Sequence, residues 1–141
     1  MKLVARRWLL AVLVASAAGA AYPAFVLGYT WFHVLRSDLP GGTHGPLDAY
    51  RHTLASAVVA YTLGPAAVEL AIELTEHGSR GGARMDRHND SIGGRIGLVA
   101  ERFSDIEPAV RAQVLQGTAD SANPRQTTWL PRGAWRRDRL W

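Results

Sequence analysis

The chain has 141 residues, with 16 lysines and arginines against 12 acids for a net charge of +4, a length that holds one domain with a modest core plus a short appendage. It has no cysteine, which excludes disulfides, thiol nucleophiles and cysteine zinc sites. Lys2, Arg6 and Arg7 precede the first apolar stretch and the remainder is close to neutral, so the basic balance is no argument for nucleic-acid binding.

From Trp8 to Leu35 there is no acid and no strong base. A run of about 20 apolar residues crosses the hydrocarbon layer as a helix. Residues 1–36 therefore predict a transmembrane anchor, kinked at Pro23. Trp8 at one end and Tyr29, Trp31 and Phe32 at the other suit the two lipid interfaces, and the basic start predicts a cytoplasmic N-terminus. The expectation is a single-pass protein of a bacterial inner membrane, its C-terminal domain periplasmic or extracellular. The alternative is a signal peptide cleaved after Ala18-Gly19-Ala20. Against it, the apolar character resumes after Pro23 and would leave the product with a sticky, unanchored start.

Residues 37–46 are rich in Gly and Pro and read as a linker. The segment 47–117 reads as a small bundle of three or four helices, so the fold class is all-α. Leu47, Tyr50, Leu54, Val58 and Tyr61 recur at helical spacing, and Gly64-Pro65 is a stop followed by a start. A second helix over 65–77 carries Val68, Ala71 and Ile72. Gly78 to Gly82 reads as a loop. A third helix over 85–103 carries Ile92, Ile96 and Val99. Ser104 and Glu107 have capping-box spacing for a short fourth helix. From Thr118 the helical pattern fades, and no segment alternates with the period of a strand.

Three polar clusters fall on these helices. Asp48, Arg51 and His52 share one face at i, i+3 and i+4, a pattern that binds a metal or fixes an imidazole for proton transfer, and equally forms a local surface pair. Glu69, Glu73 and Glu76 line one face of the second helix with no cation within a turn, so either water or something positive covers them. Asp86, Asn89 and Asp90 lie on the third helix beside Gly93 and Gly97, whose missing side chains let another helix approach closely. Brought together, these residues predict one polar site. Asp48, His52, Glu73, Asp86 and His88 suit a divalent metal, zinc or manganese. Arg51, His52, Glu76 and His88 are the candidates for catalysis. Arg51, Asn89, Asp90, Gly93 and Gly97 equally suit a polar packing network.

The same residues carry a resemblance. Asp48-Ala49-Tyr50-Arg51-His52, Ser56-Ala57, Leu63-Gly64 and Met85-Asp86-Arg87-His88-Asn89-Asp90 with Gly93 and Gly97 resemble a bacterial helical domain family of unknown function with D-A-[FY]-R-H and M-D-x-H-N-[ND]-x-x-G motifs. The resemblance covers roughly residues 45–98. It implies a shared polar site and brings no reaction with it. Thr75 stands where the family often has a His, and His77 lies off that face.

Residues 118–141 form a basic, tryptophan-rich tail. Trp129, Trp135 and Trp141 among Arg136 and Arg137, with Trp8 and Trp31 at the other end of the chain, suit membrane lipid or an acidic partner face. The expected function is that of a membrane-anchored interaction module, an accessory subunit with a membrane-protein partner and no nucleic acid. One alternative is a metal-dependent hydrolase of cell-envelope material, in which the metal activates water. Another is a secreted effector domain.

Overall fold

A computed structural model of the chain describes residues 2–75 and 81–136. Five α-helices follow one another in these residues: α1 (Lys2–Arg36), α2 (Pro46–Leu63), α3 (Pro65–Thr75), α4 (Gly81–Val99) and α5 (Ile106–Leu115). Two short parallel strands come next, β1 (Thr118–Ala119) and β2 (Thr128–Trp129). Pro46 and Pro65 each stand at the first position of a helix, where a missing N–H costs nothing. Gly64 joins α2 to α3 with a positive φ of 88°, a conformation that side chains disfavour.

The helix α2 is the hub, in contact with α1, α3, α4 and α5. Its buried face carries Leu47, Tyr50, Leu54, Ala57 and Val58, and Ile106, Val110 and Val114 of α5 complete the core. The crossing of α2 with α4 is close because glycines line it. A Cβ on Gly93 would collide with the Thr53 carbonyl oxygen, and one on Gly97 with that of Ala57. Large side chains there would force the helices apart.

The transmembrane expectation is overturned. Among the described residues no helix is long and apolar enough to cross a membrane. The single-pass inner-membrane topology and the outside location of the domain lose their basis with it. The physical reason lies in the second half of α1. Val26, Thr30 and Val34, at helical spacing, are buried. Tyr29 packs edge-on to Phe103 at 4.9 Å, and the Tyr22 hydroxyl meets that of Thr62. One face of the apolar stretch after Pro23 thus packs on the chain itself.

Three local expectations also change. Helix α4 begins at Gly81, inside the stretch read as a loop, and the next glycine leaves room for His44. A Cβ on Gly82 would lie 2.6 Å from the His44 ring. The capping box at Ser104 does not form. A 3-10 turn occupies residues 103–105, α5 starts at Ile106, and Arg102 holds the Asp105 carboxylate instead. A small sheet exists where none was expected. Its two-residue strands are too short to carry a period, and α4 braces them: the Asn89 side chain accepts from the Thr128 N–H at 2.9 Å and donates to the Thr128 carbonyl at 2.8 Å.

Candidate metal centre

Asp48 lies in the first turn of α2 and is almost fully buried. A carboxylate there faces the exposed N–H groups of the helix start. It accepts the His44 backbone N–H at 2.6 Å and is gripped by the Arg51 guanidinium. His44 reaches this position in a left-handed conformation, φ 70°, which a side-chain-bearing residue adopts only under constraint. Arg51 extends on to the Trp31 ring, 5.7 Å from its centroid.

One turn further on, His52 stands between three carboxylates. Its Nε2 is 3.5 Å from Asp86 Oδ1 and 3.8 Å from Asp48 Oδ1, and its Nδ1 is 3.4 Å from Asp90 Oδ1. The glycine seam makes this meeting possible, since α4 could not otherwise bring Asp86 and Asp90 so near α2. Asp90 also accepts the Ser56 hydroxyl at 2.7 Å. With Asp90 beside Nδ1, the Nε2 atom faces Asp48 and Asp86. This is the arrangement in which an outer carboxylate fixes the tautomer of a metal-ligating histidine.

Two buried polar atoms at this site make no hydrogen bond: Asp86 Oδ1 and His44 Nδ1. The second lies 4.0 Å from Asp48 Oδ2. Buried polar atoms are normally paired, so orphans clustered at one point ask for a cation or a proton. The donor atoms of Asp48, His52 and Asp86 fall within 4.8 Å of one another, a triad that could hold a metal ion. Four ligands at ~2.1 Å from a tetrahedral ion lie about 3.4 Å apart, close to the separations here.

Charge tells the same story. Burial disfavours a charged His52, but the hydrogen bond to Asp90 and the charges of Asp86, Asp90 and Asp48 outweigh it and raise its pKa to about 9. Burial pushes the Asp86 carboxyl up to about 6, against the pull of His52. Three carboxylates face one guanidinium and one imidazole. Among the described residues, protonating His52 reduces the excess negative charge to one, and a divalent cation would cancel it.

The structure brings Asp48, Arg51, His52, Asp86 and Asp90 together, and the other described metal and catalytic candidates, Glu73 and His88, lie elsewhere. Glu73 is exposed on α3. His88 is turned away from His52, its Nε2 2.8 Å from the Gln126 carbonyl. Asn89 faces Thr128 rather than Arg51. Glu76, His77, Arg137 and Trp141 lie outside the described residues. Trp8 is exposed, Trp31 and Trp129 are half-buried, and the Trp135 indole donates to the Leu130 carbonyl and packs on Gly41 and Gly45. Arg136 is exposed, and its backbone pairs with Thr43 and Gly42. Sequence reasoning missed His44, although its place four residues before Asp48 was a usable signal. No protein-family model, curated protein or solved structure matches the chain.

Proposed function

We propose that this helical domain is a metal-dependent hydrolase that binds one divalent ion, zinc or manganese, through His52 Nε2, Asp86 and Asp48. The observation that carries the reading is the orphaned Asp86 Oδ1 opposite His52 Nε2, with Asp90 beside the other ring nitrogen. Three protein ligands leave a coordination position for water, as in catalytic zinc sites, and a bound ion lowers the pKa of that water toward ~7. The His52 and Asp86 side chains keep 25% and 20% exposure, which favours access from solvent. His44 Nδ1, the second orphan, is the group beside the site suited to accept the proton of that water.

The test is metal analysis of the full chain after chelation and reloading, with hydrolysis of a chromogenic activated ester as the activity readout. Stoichiometric metal is expected in the native protein and in His44→Ala, with His44→Ala losing hydrolysis. His52→Ala is expected to lose the metal. A native chain that takes up no zinc or manganese refutes the reading, and the cluster is then an ion network around a charged His52, which the saturated Asp48 carboxylate favours.

An interaction module is the second reading. It is favoured by exposed Leu63, Leu70, Leu98 and Val99 on α2, α3 and α4, beside an apolar groove of about 280 Å³ lined by Val68, Ile72 and Leu98. Copurification of a stoichiometric protein partner, lost on Leu98→Asp, is the result this reading expects.

A further inference from the structure

Glu69 and Glu73 stand exposed at i and i+4 on α3, and that helix carries no lysine, arginine or histidine. Like charges so spaced repel one another. Among the described residues no ion pair reaches either of them. Glu69 borders the apolar groove between α3 and α4, whose volume is about 280 Å³ and whose lining includes Val68, Ile72 and Leu98. Arg95 borders it too, but its guanidinium donates to the Ser91 hydroxyl and the Pro124 carbonyl. The groove is therefore apolar within and acidic along its α3 side.

The first half of α1 has the complementary character. The Tyr22 hydroxyl meets that of Thr62 in the last turn of α2, so residues 2–21 run on past the end of that helix. At ~1.5 Å per residue they extend about 30 Å, against about 16 Å for the 11 residues of α3. Trp8, Val12, Ala15 and Gly19 recur at i, i+4, i+7 and i+11 and are exposed, which makes one bare apolar face. Arg6 and Arg7, also exposed, stand at its start. Such a face in water favours any cover that removes it from solvent. Because α1 continues unbroken to Arg36, which packs it along α2, its first half cannot turn back onto the groove of its own chain. The groove of a second copy is open to it.

We propose that two copies of the chain pair by exchange, each laying the first half of its α1 in the α3–α4 groove of the other, with Trp8 and Val12 on the apolar lining and Arg6 and Arg7 against Glu69 and Glu73. The exchange is reciprocal, so it closes as a two-fold dimer and does not propagate. Opposite charges at the rim set the register of the helix, and the apolar contact supplies most of the affinity. The proposal rests on the interaction reading of this groove and names its occupant, and it needs no metal.

Sedimentation equilibrium of the full chain at micromolar concentration tests it, with chelator present so that the metal reading does not enter. A dimer is expected. Glu69→Lys/Glu73→Lys is expected to weaken it about tenfold or more, and Arg6→Glu/Arg7→Glu likewise, since each sets like charges against one another. The variant carrying all four changes is expected to regain the dimer, because the reversed charges again oppose. All four positions are exposed, so circular dichroism is expected to show native helicity in every variant. A monomeric native chain overturns the proposal, and if that monomer captures a different protein through Leu98, the interaction reading stands while the self-pairing falls. Association that is unchanged in the folded Glu69→Lys/Glu73→Lys variant overturns it as well. So does a four-fold variant that fails to regain the dimer, or open-ended aggregation in place of a dimer.

Discussion

Raising the pH from 6.5 to 9 is expected to remove about 3 kcal/mol of stability from the metal-free protein, and most of that loss is expected to trace to His52. The imidazole ordinarily titrates near 6.5 and is held at about 9 by Asp90, Asp86 and Asp48 despite its burial. Each unit of difference corresponds to ~1.4 kcal/mol. The folded state keeps a proton that the unfolded chain has released, so this stabilisation is fully present below about pH 6.5 and is lost as the pH rises through about 9. Asp86 acts in a lower window. Burial raises its pKa from 3.8 to about 6, so its ionisation penalises the folded state increasingly as the pH rises across that interval. Urea denaturation followed by circular dichroism, in chelator at several pH values from 6.5 to 9.5, measures the effect. His52→Gln is expected to flatten the profile, and saturating zinc to flatten it as well, because ligation removes the same proton. A native profile that is already flat, or a slope that persists unchanged in His52→Gln, refutes the reasoning.

Asp90→Asn leaves all three proposed ligands in place but no longer holds His52 by charge; it is expected to weaken metal binding ~10–100-fold, read by competition with a chromogenic chelator. Asn89→Ala strands the N–H and carbonyl of buried Thr128 and is expected to cost about 2–5 kcal/mol, with faster proteolysis within residues 120–130 as the visible sign. Gly97→Ala sets a methyl against the Ala57 backbone, and the overpacking is expected to cost about 1–3 kcal/mol in denaturation midpoint despite alanine's better helix propensity. Arg111→Ala breaks an exposed pair with Asp38 that solvent screens, and is expected to leave the denaturation midpoint unchanged.

The helices α2 and α3 were legible from spacing because their cause is local, whereas α5 was expected from a capping box that does not form. Leu47, Tyr50, Leu54 and Val58 repeat with the helical period, and Gly64-Pro65 breaks the backbone hydrogen-bond pattern by its own chemistry. The pairing of Asp48 with Arg51 and His52 was legible for the same reason, since residues three and four apart share a helix face. Gly93 and Gly97 pointed to a close crossing because absent side chains have that single packing consequence. What lay on the far side of each contact was a property of the tertiary structure. Apolar residues after Pro23 read alike whether they meet lipid or protein, and only the positions of Tyr22, Val26, Thr30 and Val34 against the bundle distinguish the two. Which nitrogen of His52 faces Asp90 and which faces Asp86, the sending of His88 and Asn89 to the opposite wall of α4, and the recruitment of His44 through a left-handed turn all depend on how α2 and α4 are rotated about their axes. That rotation is set by the summed packing of the core, and no window of sequence contains it.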